Sequence, residues 1–236
     1  MCGRFVSFTV GEELAVEVAE VPGLRPVEVR AEAPPRFNVG PTQPVQIIVP
    51  TEKLQEQLPD APVSDSRTSL IGARWGLIPH WAKEVPKAPW FNARGETVNS
   101  KPAFRDAYKR SRCLVPADGW YEWNINAEGK KVPYYASFSD RPVFFAGLWT
   151  AWEDMYSCTI VTTASEGSPI EWLHDRMPRI LAPEDCASWL WGDPEEVSAL
   201  REPVDNAVLE PLEVREVDPA VGNIRNDGPE LLNGPV

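Results

Sequence analysis

The sequence predicts an α+β fold: a largely antiparallel, barrel-like β core with short flanking helices, in a single domain. Of 236 residues, 43 % are hydrophobic and ten are Trp, enough apolar side chain for a substantial core. Short β-branched and aromatic runs, bounded by Pro and Gly, outnumber helix-period patterns, and the helices that do occur interrupt the strands. No internal repeat is visible, and one generous domain accommodates the length, with 1–226 as the domain and 227–236 as a C-terminal tail.

The elements follow in order. Thr9 and Glu12 have capping-box spacing, and Leu14, Val16 and Val18 follow, which predicts a short helix over 10–20. The Pro- and Gly-rich stretch 22–44 reads as an extended, turn-rich excursion. Val45–Val49 is β-branched between Pro44 and Pro50 and predicts a strand. The polar, Pro-containing stretch 51–67 reads as a mobile surface loop, and 70–75 as a strand. Ser100 is placed to cap a helix that has Pro102 in its first turn and runs to about Arg110. Strands are predicted over 113–115, 134–137, 143–149 and 158–163. Pro183 opens a helix that runs through Trp191 to Gly192, and a last strand fits 212–217.

Composition narrows the function. No segment approaches 18 consecutive apolar residues, and the N-terminus lacks a basic segment followed by an apolar run, so neither a membrane span nor a signal peptide is expected. Cys2, Cys113, Cys158 and Cys186 are widely spaced, and His80 and His174 are the only histidines, a poor set for structural zinc. Free thiols in a reducing cytoplasm are the expectation. Net charge is −12, which at first sight argues against nucleic acid. Yet Arg74, Lys83, Lys87, Arg94, Lys101, Arg105, Lys109, Arg110 and Arg112 face only Glu84, Glu96 and Asp106 in the same stretch. A basic surface on an acidic body is one reading; an ordinary solvated helix face around 101–112 accounts for part of it.

Cys2 directly follows Met1. Loss of Met1 gives this residue a free α-amine beside its thiol. An α-amine titrates near ~7.7–8.0 against ~10.4 for lysine, so roughly a quarter is neutral and nucleophilic at about pH 7.4. Such an amine forms a Schiff base with an aldehyde, and the thiol then closes a five-membered thiazolidine. The plain alternative is an incidental, buried cysteine.

Four further segments have unusual composition: Trp75–Trp81, Trp90–Glu96, Ala117–Trp123 and Leu173–Pro178. Together with Met1-Cys2-Gly3-Arg4-Phe5, Arg36–Pro41, Asn92–Thr97 and Val221-Gly222-Asn223, they resemble, in order and over almost the whole chain, the SOS-response-associated peptidase (SRAP) family of abasic-site processing proteins. The resemblance implies recognition of abasic sites in single-stranded DNA and covalent capture through the N-terminal cysteine as a thiazolidine. By matching positions it implies Cys2 as nucleophile, with Asn92, Glu122 and His174 completing the catalytic set.

Residue chemistry agrees with those roles while leaving plainer ones open. Glu122 sits between Tyr121 and Trp123, where desolvation raises a carboxyl pKa and suits it to protonating the sugar ring oxygen. His174 suits a proton shuttle, and Asn92, which does not titrate, suits positioning by hydrogen bonds. An ion pair for Glu122, a backbone cap for His174 and a turn role for Asn92 are the alternatives. Arg4, Arg94, Lys101 and, more weakly, Arg176 are candidate phosphate contacts, which carry no base information. Pro41, Leu77, Ile78 and Trp81 are candidates to stack on or wedge between flanking bases, with Trp75 assigned to the core. Two departures from relatives bear on DNA grip: Ala82 where some have a second Trp, and Lys101 where some have Arg.

The expected partner is therefore single-stranded DNA containing abasic sites, bound by a monomer with no cofactor, no metal and no membrane, associated with the nucleoid when on DNA. Schiff-base chemistry also allows strand nicking by β-elimination. Two other readings stand: a cysteine peptidase with Cys2 as nucleophile and His174 as base, and a non-catalytic single-strand binding module. The sequence carries no separate oxyanion-hole or specificity-pocket signature for the peptidase.

Overall fold

A computed structural model describes residues 2–57 and 63–235. The strands are β1 (Arg4–Ser7), β2 (Val27–Val29), β3 (Arg36–Val39), β4 (Pro44–Pro50), β5 (Thr68–Trp75), β6 (Asn92–Arg94), β7 (Arg112–Ala117), β8 (Gly119–Ile125), β9 (Lys131–Phe138), β10 (Val143–Trp152), β11 (Met155–Ala164), β12 (Arg176–Pro178), β13 (Ile180–Leu181) and β14 (Leu212–Glu216). The helices are α1 (Gly11–Glu20), α2 (Thr51–Gln57), α3 (Arg105–Arg110), α4 (Pro183–Trp191) and α5 (Asn206–Leu209). Among the described residues no helix is long and apolar enough to cross a membrane.

Five strands close into a barrel. β11, β10, β7, β4 and β5 pair in that order, and β5 returns to β11 as a parallel neighbour through Ser157 with Arg74 and Cys158 with Trp75. Strand alternation sends Val45, Ile47 and Val49, Ile71 and Trp75, Cys113 and Val115, Phe145 and Trp149, and Cys158 and Ile160 into one apolar cluster. Their neighbours Ile48, Leu70, Leu114, Phe144, Leu148 and Val161 pack outward against Leu14 and Val18 of α1 and Trp189 and Leu190 of α4. Both faces are buried, so these strands read as continuous apolar runs and not as alternation. Gly147 of β10 stands where a Cβ would lie 2.9 Å from both Cys113 Sγ and Val115 Cγ2, so the interior admits no side chain there.

A second sheet, in the order β14-β9-β8-β1-β3, lays its inner face on this core. Phe5 meets Trp75 edge-on at 4.9 Å between centroids, and Trp120 meets Phe145 at 5.9 Å. Its outer face carries Val6, Tyr121 and Tyr135 beneath Val217, Val221 and Leu231. The single α+β domain with a largely antiparallel barrel core is the fold the sequence predicts. The stretch after 226 is tied down: Asp227 accepts from the backbone N–H groups of Phe37 and Asn38 at 2.7 and 2.9 Å, and Leu231 is buried.

Several local expectations are corrected. The Thr9–Glu12 capping box does not form, because Asp118 captures Thr9: its carboxylate accepts from the Thr9 hydroxyl and from the N–H groups of Phe8 and Thr9 at 2.6, 2.6 and 3.0 Å. A charged acceptor outcompetes the local cap. Thr51–Gln57, expected within a loop, is the helix α2, anchored by buried Leu54 and by the Thr51 hydroxyl 2.9 Å from that of Ser69. Residues 58–62 of that loop, like Met1, lie outside the described residues. Ser100 does not cap α3; its hydroxyl donates to the Thr97 carbonyl and the helix begins at Arg105. Arg112 leaves the expected basic surface entirely, since it is buried and its guanidinium donates to the carbonyls of Tyr108, Trp189 and Gly192. Lys83, Lys87, Arg94, Lys101, Arg105, Lys109 and Arg110 remain exposed.

Candidate active site at the start of β1

β1 pairs with β8 from Arg4 to Val6, opposite Tyr121 to Gly119. The chain preceding Arg4 therefore runs beside the next residue of β8, Glu122. Cys2 is fully buried there, among the side chains of the inner core. Burial, and next the Glu122 carboxylate, push its thiol well above the ordinary cysteine value, so the thiol is protonated at neutral pH. Glu122 is only 5 % exposed, between buried Tyr121 and half-buried Trp123.

Asn92 reaches the same place from another element. It opens β6, held parallel to β11 by the Ile160–Asn92 and Val161–Ala93 pairs. Its side-chain nitrogen donates to the Cys2 carbonyl at 2.6 Å, and its side-chain oxygen is buried with no hydrogen-bond partner among the described residues.

His174 precedes β12. Its Nδ1 accepts from the Arg176 N–H at 3.0 Å and lies 2.6 Å from Asp175 Oδ1. Glu122 and His174 line one open cleft of about 720 Å³ with Gly3, Arg4, Trp123, Ile125, Lys131 and Gly222. Cys2, Asn92, Glu122 and His174, dispersed through the chain, thus converge.

The candidate DNA contacts divide. Arg4 lines the cleft, but its guanidinium also donates to Asn38 Oδ1 at 2.9 Å and to the carbonyls of Val221 and Gly222 at 2.8 and 3.2 Å. Arg94 is exposed on β6, two residues beyond Asn92, and Lys101 is exposed beyond it. Trp81 is 52 % exposed and leans on Trp90 at 6.4 Å, and Pro41 is partly exposed.

Leu77 and Ile78 are corrections: both are fully buried, so neither presents a surface to a base. The Leu77 N–H donates to Trp90 O at 3.1 Å, and the Ile78 backbone is fixed by the Ser157 and Thr150 hydroxyls at 2.8 and 2.6 Å. Arg176 is likewise committed, ion-paired with Glu96 and donating to the Thr162 carbonyl. Trp75 belongs to the core as expected, its indole N–H bonded to Phe91 O at 2.9 Å.

The sequence reading missed Ile125 and Lys131. Their only local signal is the turn at Gly129, whose φ of +76° marks the β8–β9 hairpin.

The SOS response associated peptidase (SRAP) family model matches residues 1–224. The chain belongs to the SRAP family. Abasic site processing protein YoqW of Bacillus subtilis is 33 % identical over 243 residues, covering 98 % of this SRAP chain and 99 % of that protein. Abasic site processing protein YedK of Escherichia coli is 29 % identical with the same coverage, and abasic site processing protein HMCES of Xenopus tropicalis 29 % identical over 84 % of this chain and 65 % of its own. A crystal structure of a protein from Bacteroides thetaiotaomicron shares the fold at TM-score 0.76, with 23 % identity over the full length of both chains.

Proposed function

We propose that this SRAP chain processes abasic sites, capturing them in single-stranded DNA as a covalent thiazolidine on Cys2 after Met1 is removed. The observation that carries the proposal is that buried Cys2, held by Asn92 and beside Glu122, lies directly behind the cleft that Glu122 and His174 line. The names of the relatives, abasic site processing proteins at about full length, support the same substrate class.

An abasic deoxyribose must open to its aldehyde; Glu122, buried beside Cys2, is assigned to moving the proton from the anomeric hydroxyl to the ring oxygen. The Cys2 amine then adds to the aldehyde carbon, and one water leaves to give the imine. Sulfur adds to the imine carbon, and the thiol proton passes to nitrogen. Burial holds the thiol protonated, so its proton must leave as the sulfur attacks, and the imine nitrogen receives it. His174 relays protons at the cleft mouth, and the Asn92 amide holds the Cys2 backbone while its free oxygen accepts from the amine. The imine also allows β-elimination, so nicking competes where ring closure is slow. The chain acts as a monomer on this substrate, with Arg94 and Lys101 contacting phosphates.

The test is a denaturing gel of mature protein with a single strand bearing one abasic site. A shifted band that requires Cys2 and a free N-terminus is expected. Its absence, with mass spectrometry showing Met1 gone, overturns the proposal.

A further inference from the structure

The outer face of the β8–β9 hairpin changes character along its length. Around Tyr121 and Tyr135 it is covered by Val217, Val221 and Leu231. The cover ends at Gly222, on the rim of the cleft that Glu122 and His174 line. Beyond it, register places Trp123, Ile125 and Lys131 on one face, since Trp123 pairs with Pro133 and Ile125 with Lys131. Glu122 and its partner Tyr134 point to the other face. Both sets of side chains meet at the edge of β8 that β1 leaves unpaired, and all three outer ones line the cleft with Glu122 and His174.

This end of the hairpin has an unusual surface. Ile125 is 68 % exposed. The Lys131 ammonium lies 5.4 Å from the centroid of the Trp123 ring. Neighbouring Lys130 is paired with Glu128 at 3.1 Å, whereas Lys131 makes no ion pair with any described residue. An uncompensated cation on an indole, beside an exposed isoleucine, is noteworthy on a chain of net charge −12.

We propose that this hairpin end holds the nucleotide next to the lesion, with its base on Ile125 and the Trp123 edge and its phosphate on Lys131. A nucleotide offers both features the patch asks for, a flat apolar face and an anion one backbone step away. The assignment rests on the reading that the cleft takes an abasic strand. It adds a cation and an apolar face at the cleft beside Arg4, whose guanidinium is shared with Asn38 and two carbonyls.

The test uses a single strand carrying a tetrahydrofuran residue, which has no aldehyde and isolates non-covalent binding. Lys131→Met should weaken binding and make the plot of log affinity against log salt shallower by about 0.7, the contribution of one single-strand phosphate. Ile125→Ala should weaken binding at every salt concentration without changing that slope. A methylphosphonate replacing one phosphate beside the lesion should weaken the wild type while leaving Lys131→Met unaffected. An unchanged slope in Lys131→Met, or methylphosphonates that affect both proteins equally, overturns the proposal. Both side chains are exposed, so neither substitution threatens folding. Salt effects as expected in a wild type that never crosslinks an abasic strand sink the capture reading alone. Crosslinking with none of these salt effects sinks the hairpin assignment alone.

Discussion

The side-chain nitrogen of Asn92 donates to the backbone carbonyl of Cys2 at 2.6 Å, joining residues ninety positions apart. The bond fixes the start of β1 against β6, which β11 in turn holds in parallel register. It therefore sets where the Cys2 amine stands relative to Glu122.

Asn92→Ala should slow crosslinking about 100-fold, the scale on which small misplacements of a reacting group act. Single-turnover rates with an abasic strand measure this. A wild-type rate in the variant removes Asn92 from the site.

Glu122→Gln keeps the shape and deletes the proposed proton-transfer group. Crosslinking should fall by about 10²–10⁴-fold while affinity for a tetrahydrofuran strand stays close to wild type. A large loss of affinity instead would assign Glu122 to binding or to the fold.

Arg4 links β1 to Asn38 and to the 221–222 carbonyls, so its loss should be felt in stability as well as in DNA binding. Arg4→Ala should destabilise the protein by about 1–3 kcal/mol, as hydrogen bonds to a charged donor do. Urea unfolding checks it, and an unchanged midpoint would make Arg4 a DNA contact only.

The buried thiols predict an alkaline limit. Burial raises the pKa of Cys2, Cys113, Cys158 and Cys186 above the ordinary value. In the unfolded chain a thiol ionises near ~8.5, so above that pH the folded state binds more protons than the unfolded one. Their contribution is complete below about pH 8.5 and is lost as pH rises toward the folded-state values, by up to about 1.4 kcal/mol per pH unit per thiol. Melting temperature should fall between about pH 8.5 and 10, and Cys186→Ala, at the α4 packing face, should flatten that fall. Equal slopes in the two proteins would contradict it.

How much of this was legible differs from element to element. α1, α4 and the strands at 45–49, 70–75, 143–149 and 158–163 lie where apolar residues and their Pro and Gly boundaries predict them. Each signal is contained within a few residues, so it survives without knowledge of the rest of the chain. β8 was legible as a motif but not as a strand. Its pairing with β1 and β9 involves residues more than a hundred positions away on one side and a short hairpin on the other.

The sequence by itself determined the family, the α+β class and the burial of Trp75, and it singled out Cys2 as the proposed nucleophile. Only the tertiary structure decided which polar group each donor would meet and which apolar residue would face solvent. Thr9 turned from Glu12 to Asp118, Arg112 and Arg176 were drawn to carbonyls and Glu96, and Leu77 and Ile78 went inside while Ile125 and Lys131 stayed out. The reason is physical. Propensity acts over a turn of chain, but hydrogen-bond choice and burial depend on groups that closure of the barrel brings together from far apart.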